Sequence, residues 1–265
     1  MSFYEIDYSE NKKSWNMPQV HSHSFFEIYC LLEGERNFFL ENKIYVLREP
    51  SIIIVPPFYM HKTEGKANIN VNLLISSDAL TPDEDQFLRS FTEPITIEGN
   101  TESEQLFFAL LKEFSSNKKA MALNEEYAFC FIKTMLYFLR TAKIKPLENS
   151  TISPSHKTDA LIFKVVQYIS KHYAERLTLE FLSDMFFISK NSLGRRFNKV
   201  MNCSVIDYLS KVRFSESKKL LLTTNKPISE IASLCGFSSA NYYSLIFKKN
   251  LGISPQNYRN RNKRH

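Results

Sequence analysis

The chain has 265 residues, 43% of them hydrophobic, enough for two ordinary domains with their own cores. It contains no apolar run of 18 residues or more, and its start, M-S-F-Y-E-I-D, is acidic rather than basic and then apolar, so neither a membrane span nor a secretory signal is expected. The net charge of +6 hides a split: residues 151–265 carry 19 Lys and Arg against 7 Asp and Glu, net +12, whereas residues 1–150 carry 15 against 21, net −6.

Residues 20–75 read as β structure. Runs rich in β-branched and aromatic residues at 25–32, 36–40, 43–47, 51–55 and 70–75 are separated by turn signals at Glu33-Gly34, Glu41-Asn42 and Glu49-Pro50. Short strands at regular spacing imply a small sandwich or barrel. His21 and His23 precede the first run, Glu27 lies in it, and Pro56-Pro57 leads to His61. Three histidines and a glutamate converging in a barrel could hold iron, manganese, nickel or zinc. They could equally hydrogen-bond a ligand or tie strands together. A pocket lined by Phe25, Tyr29, Phe38 and Phe58, with His21, His23, Glu27 and His61 as its polar groups, suits a small organic effector better, although the aromatics would also serve as plain core. The expected effector-binding residues are therefore His21, His23, Glu27, Tyr29 and His61, with no metal and no cofactor.

Residues 103–141 turn helical. Leu106, Phe107, Leu110, Leu111 and Phe114 form one amphipathic stripe, and residues 127–139 form a second helix that is apolar almost all round. A helix of that kind needs cover on several sides, either from its own chain or partly from a second subunit. Two prolines and polar residues mark 146–158 as a linker, after which a helix at 159–174 opens the basic half. Cys30, Cys130, Cys203 and Cys235 form no C-x-x-C pair, which suits reduced thiols in a cytoplasm, and Cys130 and Cys235 fall on apolar helical faces as small core residues.

The basic half carries an internal repeat. Sliding the sequence by 50 residues pairs 177–208 with 227–258 and gives nine identities in 32 positions: Glu180/Glu230, Ser183/Ser233, Phe187/Phe237, Ser189/Ser239, Asn191/Asn241, Phe197/Phe247, Lys199/Lys249, Ser204/Ser254 and Tyr208/Tyr258. In the second copy Ile228, Ile231, Ala232 and Leu234 recur at helical spacing, and Gly236 tolerates positive φ. Ser238 is placed to cap a second helix with Tyr243, Ile246 and Phe247 inward. That is a helix-turn-helix, closed at Gly252 and followed by a helix that opens at Ser254-Pro255. An amphipathic helix at 205–222 joins the copies. At 18 residues it is roughly 27 Å long, suited to holding two recognition helices about one DNA turn, ~34 Å, apart. The outward residues combine groups that reach base edges with cations that reach phosphates. They are Ser189, Lys190, Asn191, Ser192, Arg195 and Lys199 in the first copy, and Ser238, Ser239, Asn241, Tyr242, Leu245, Lys248 and Lys249 in the second.

Residues 159–260 resemble the DNA-binding domain of the AraC family of bacterial transcription regulators. The resemblance is carried by Ile228-Ser229-Glu230-Ile231-Ala232, Gly236-Phe237, Tyr242-Tyr243, Phe247-Lys248-Lys249, Gly252-Ile253-Ser254-Pro255 and Tyr258-Arg259. Two positions depart from the family pattern: Leu245 stands where arginine is usual, although Arg195 keeps it in the first copy, and Asn202 replaces the usual glycine. In the acidic half, the spacing of His21, His23, Glu27 and Gly34, with His61 further on, is similar to the cupin motifs, whose second copy is incomplete here. The expected fold is α+β in two domains. Residues 1–145 form a cupin-like β-barrel with a helical dimerisation segment at about 103–141, and 146–158 form the linker. Residues 159–265 form an all-α domain of two helix-turn-helix units. The resemblance implies a cytoplasmic, sequence-specific regulator of double-stranded DNA, not an enzyme, that responds to a small-molecule effector. It also implies a homodimer, with RNA polymerase as a partner if the protein is an activator. A metal-dependent cupin enzyme fused to a DNA-binding domain, and a regulator that needs no effector, are the alternatives.

Overall fold

The computed structural model describes residues 4–41, 43–91, 93–97, 102–116, 125–142, 144–146 and 160–262. The chain divides into two compact units, Met1–Met17 with His23–Ile152, and Pro18–Ser22 with Ser153–His265.

The first unit is built on one antiparallel sheet. Its strands are β1 (Tyr4–Asn11), β2 (Trp15–Asn16), β3 (Phe25–Leu40), β4 (Lys43–Arg48), β5 (Ser51–Val55), β6 (His61–Ser76), β7 (Ile95–Ile97) and β8 (Ile144–Pro146). They run in the order β1-β6-β3-β5-β7-β8, with β2 added to β6 and β4 to β3. β3 is a single strand of 16 residues where two were expected, because the Glu33-Gly34 signal marks bulges rather than a turn. The pairing of β3 with β6 slips between Leu31 and Glu33 and again between Gly34 and Arg36. Each slip bends the strand. Gly34 has φ +97°, and a Cβ there would lie 2.6 Å from the Ala67 carbonyl oxygen, so the bend needs glycine.

The bend wraps the sheet around its own inner face. Tyr29 and Leu31 before it, and Phe38 and Leu40 after it, meet Tyr45 and Leu47 of β4 and Ile53 and Val55 of β5 in one buried cluster. Alternation along β3 sends Phe26, Ile28 and Cys30 to the opposite face, where three helices cover them: α1 (Pro82–Arg89), α2 (Glu102–Ser116) and α3 (Glu125–Thr141). α1 was not anticipated, although its start spells a capping box: the Thr81 hydroxyl accepts from the Glu84 amide while the Glu84 carboxylate accepts from the Thr81 amide.

α2 contributes Phe107 and Leu111, and α3 contributes Phe131, Ile132, Met135, Leu136 and Leu139. Among the described residues nothing covers the other side of both helices, where Leu106 and Phe129 are exposed and Tyr137 is 70% exposed. Cys130 shares that outward side at i, i+7 with Tyr137 and is exposed, contrary to its expected place in the core, whereas Cys235 is buried as expected. The side chain of Phe114 lies outside the described residues.

β1, β2, β7, β8 and the first half of β6 escaped the sequence reading. β1 (Y-E-I-D-Y-S-E-N) is an edge strand with mixed faces, and β2, β7 and β8 are three residues or fewer. The first half of β6 carries polar residues inward, so it lacks an apolar alternation. Pro146, placed in the linker by its composition, ends β8 at the sheet edge, where its missing N–H costs no ladder bond. Residues 147–158, the rest of that expected linker, lie outside the described residues.

The second unit is helical: α4 (Ala160–His172), α5 (Leu179–Met185), α6 (Lys190–Met201), α7 (Val205–Thr223), α8 (Ile228–Leu234), α9 (Ala240–Leu251) and α10 (Pro255–Asn262). α4 buries Ile162, Phe163, Val165, Val166 and Ile169, the stripe its periodicity dictates. α7 buries Leu209, Val212 and Leu221, while Ile206 is exposed.

Candidate nucleic-acid interface and the buried polar cluster of the sheet

The helix-turn-helix pairs are α5–α6 and α8–α9, and their second helices are built alike. The Ser189 hydroxyl caps α6 by accepting from the Ser192 amide, and the Ser239 hydroxyl caps α9 by accepting from the Tyr242 amide. The cap of α9 is thus Ser239 and not Ser238, because the turn before it is one residue longer than expected. Phe197 is packed edge-on against Tyr208 at 5.6 Å, and Phe247 against Tyr258 at 5.3 Å. α6 ends on Asn202 at φ 55°, ψ 30°, and α9 on Gly252 at φ 74°, so asparagine fills the left-handed position open to glycine.

The first helices follow a different offset. The N-cap is Thr178 for α5 and Pro227 for α8, and the buried pairs are Leu182 with Ile231 and Ser183 with Ala232, all 49 residues apart. The left-handed turn residue is Phe187 (φ 53°) in one copy and Gly236 (φ 74°) in the other, again 49 apart. The spacing becomes 50 only from the serine caps onward. The identities Glu180/Glu230, Ser183/Ser233 and Phe187/Phe237 therefore join residues that are not structural equivalents, while the other six do. The two turns also differ in surroundings. Phe187 is 97% exposed, whereas a Cβ on Gly236 would meet the main chain of Ala174 and Tyr173.

On the outward faces, Ser189, Lys190, Asn191, Arg195 and Lys199 are exposed and Ser192 is half-buried; Ser238, Ser239, Asn241, Tyr242, Leu245, Lys248 and Lys249 are all exposed. Neither α6 nor α9 contains an acidic residue. Lys190 Nζ lies 2.6 Å from a Glu180 carboxylate oxygen, so a phosphate would compete with that pair for it. Two further arginines serve the scaffold. Arg213 donates to the carbonyls of Tyr173 and Glu175 at 2.7 Å each, fastening α7 to the end of α4. Arg259, part of the family signature, donates to the carbonyls of Lys226 at 2.6 Å and Leu221 at 3.3 Å, holding the end of α7 and the start of α8 to α10. In each of them Nε and Nη2 are committed to main-chain carbonyls.

In the first unit, the inner face of the sheet collects ionisable side chains. Glu27 of β3 is buried, and one of its oxygens lies 3.0 Å from His23 Nε2 and 3.2 Å from His61 Nε2. Both rings are held from behind, His23 Nδ1 by the Phe25 carbonyl and His61 Nδ1 by the Tyr59 carbonyl, each at 2.9 Å. Burial alone would raise the Glu27 carboxyl, but hydrogen bonds and charge from the two histidines hold it well below the usual carboxylate range. Burial likewise disfavours a charged His61, yet the Glu27 carboxylate raises it overall. His23 is lowered, since burial and the nearby His61 outweigh its contact with Glu27.

Tyr29 and Phe38 join the cluster, edge-on to each other at 5.3 Å, with Phe38 stacked on His61 at 6.2 Å. Phe25 stacks on His23, and the Phe58 amide donates to the His23 carbonyl. His23, Glu27, Tyr29 and His61 are therefore brought together. His21 lies in Pro18–Ser22, which groups with the second unit. Two imidazole nitrogens and a carboxylate oxygen are also a donor set for a divalent ion. Arg36, Thr63, Asn68 and Asn70 are buried on the same face and were not foreseen. Arg36 follows the expected turn, where a charge reads as solvent-facing, and the polar run around 61–70 reads as loop.

Residues 182–261 match the family model described as a helix-turn-helix domain, and residues 3–69 match the AraC-like ligand binding domain. This chain belongs to the AraC family of transcription regulators. Its DNA-binding half is 36% identical over 99 residues to the bifunctional transcriptional activator/DNA repair enzyme AdaA of Bacillus subtilis, an alignment that covers 37% of this chain and 47% of AdaA. The chain thus spans about half the length of that relative. Along most of its length, 90%, it is 22% identical over 246 residues to the transcriptional activator RhaS of Escherichia fergusonii, covering 86% of RhaS. Among solved structures it is similar to the C-terminal domain of AraT, a response regulator from Geobacillus stearothermophilus, at 34% identity and a TM-score of 0.40, covering 41% of this chain and 91% of that one. Within the family pattern, the acid-free faces of α6 and α9 are the candidate DNA surface and the inner face of the sheet is the candidate ligand site.

Proposed function

We propose that this AraC-family regulator is a cytoplasmic, sequence-specific activator that binds double-stranded DNA as a homodimer and answers to a small molecule held inside the sheet of the first unit. The observation that carries the DNA part is the pairing of α6 and α9, each capped by serine, braced by a phenylalanine–tyrosine contact and free of acid, with α7 between them. At 19 residues α7 is about 28 Å long, which suits two helices one DNA turn, ~34 Å, apart. Arg195 reads a guanine by a bidentate contact to O6 and N7, while Asn241 and Leu245 read adenine and a thymine methyl. The effector part rests on the convergence of His23, Glu27, Tyr29 and His61. Dimerisation is supported by the exposed Leu106, Phe129 and Tyr137 on one side of α2 and α3. As an activator the protein would contact RNA polymerase.

The deciding experiment is systematic base substitution of the operator, scored by affinity for wild type, Arg195→Ala and Leu245→Ala. Arg195→Ala should relax specificity at one base pair by about 1–3 kcal/mol, and Leu245→Ala should cost little. Stricter readout under α9 than under α6 would refute the assignment. The convergence of two imidazoles on one carboxylate also favours one second reading, a metal-dependent activity. Metal analysis of the purified protein, together with loss of that activity in His23→Ala, would establish it.

A further inference from the structure

We propose that the ligand of the first unit is a small organic anion and that Arg36 holds its carboxylate. The proposal rests on the effector reading above and narrows it to a chemical class. Arg36 follows the second bulge of β3, pairs with Gly65 of β6, and is 1% exposed. Its Nε donates to Thr63 Oγ1 at 3.2 Å, and Thr63 is opposite Phe38, so the side chain lies on the inner face of the sheet.

The donors of this guanidinium can be counted. Nη1 donates to the carbonyls of Trp15 at 2.8 Å and Lys66 at 3.3 Å, the Tyr29 hydroxyl also interacts with the guanidinium, and among the described residues buried Nη2 makes no hydrogen bond of ordinary geometry. Every partner it has is neutral. Among the described residues no carboxylate forms an ion pair with it: Glu64 is taken by Lys62 at 3.1 Å, and Glu27 by the two histidines. Glu64 acts on it only through longer-range charge and the Trp15 ring lies 5.5 Å from Cζ, so this is a buried cation with no directly paired carboxylate, an arrangement that folded proteins rarely keep unless the charge is matched in the bound state.

The fork of a guanidinium fits a carboxylate, and the free Nη2 supplies one donor of such a contact. Tyr29 beside it packs with Phe38 and Tyr45 in the cluster of the inner face, and Asn68 Nδ2 reaches the Tyr29 hydroxyl at 3.5 Å. Burial pushes the Tyr29 phenol up, so it stays a neutral donor across the physiological range. The matching ligand is a monocarboxylic acid with an apolar body.

The test uses the full chain and three probes in calorimetric titrations: benzoate, benzamide as its uncharged counterpart, and inorganic phosphate. Arg36→Met removes the charge at similar length, and Arg36→Lys keeps the charge without the fork. Wild type should bind benzoate at least about tenfold more tightly than benzamide, and Arg36→Met should lose that preference while melting no lower than wild type without ligand. Arg36→Lys should fall between them, and it decides the matter if Arg36→Met does not fold. Binding of phosphate instead of benzoate, abolished in Arg36→Met, would keep the anion site and make its ligand inorganic. Equal binding of benzoate and benzamide, no binding of either anion, or an unchanged benzoate affinity in Arg36→Met or Arg36→Lys would overturn the proposal. If a neutral ligand shifts operator binding in wild type and Arg36→Met alike, the effector reading stands and the anion falls. Failure of wild type to bind its operator would sink the function without touching the benzoate result.

Discussion

Gly236 and Gly252 have the same backbone conformation, φ +74°, but different neighbours, so alanine at each separates backbone strain from crowding. A left-handed alanine costs about 1–2 kcal/mol, and the loss of freedom in the unfolded chain returns about 0.4–1 kcal/mol. Among the described residues nothing lies within 4 Å of a Cβ on Gly252, so Gly252→Ala should destabilise by about 1 kcal/mol or less. A Cβ on Gly236 would sit 2.7 Å from the Ala174 oxygen, 2.9 Å from Ala174 Cα and 2.9 Å from the Tyr173 oxygen, all main-chain atoms. They cannot swing aside as a side chain would, and the Tyr173 oxygen is also held by Arg213 at 2.7 Å. Forced packing of this kind adds about 1–3 kcal/mol, so Gly236→Ala should lose about 1–4 kcal/mol in total, more than Gly252→Ala. Urea denaturation of the full chain, followed by far-ultraviolet circular dichroism, would measure both, since the two glycines belong to the same unit. Gly236→Ala should also weaken operator binding by displacing the turn before α9. Equal losses at the two sites would refute the reasoning, since they would mean that the approach of the α8–α9 turn to Tyr173 and Ala174 contributes nothing.

Three further outcomes are expected. Lys199→Ala and Lys249→Ala should each weaken binding to all DNA alike and flatten the salt dependence by about one unit, as read from affinities over a range of salt concentrations. Ser239→Ala should destabilise the helical unit by about 1 kcal/mol through loss of the α9 cap, while Ser238→Ala should leave the unfolding midpoint in place. The Glu27–His61 pair should give the first unit a pH-dependent stability. The Glu27 carboxyl lies below its ordinary value, so its contribution is complete above the usual carboxylate range and is lost as pH falls through the folded value. His61 lies above its ordinary value of about 6.5, so its contribution is present below that pH and is lost as pH rises through the folded value. Denaturation of wild type on the alkaline side should show this decline, and His61→Ala should abolish it.

What the sequence by itself determined is what depends on neighbours along the chain. The inward stripe of α9, the length of α7 and the serine before proline at α10 follow from periodicity and capping chemistry, the split in charge follows from composition, and the signature residues sufficed to place the chain in its family. The polar set of Glu27, His23 and His61 was legible too, because histidine and glutamate in an apolar strand demand partners. What only the tertiary structure decided depends on contacts between distant segments. Glu33-Gly34 has the composition of a turn, and it becomes a bulge because β6 runs alongside and keeps both halves of β3 paired. The one-residue difference between the two helix-turn-helix turns leaves no mark on an ungapped comparison, and it moved the α9 cap from Ser238 to Ser239. Arg36 was invisible for the same reason. A charged residue beside a turn signal reads as solvent-facing until carbonyls of β2 and β6 close over it, and whether a polar group ends buried or wet is set by the strands packed around it.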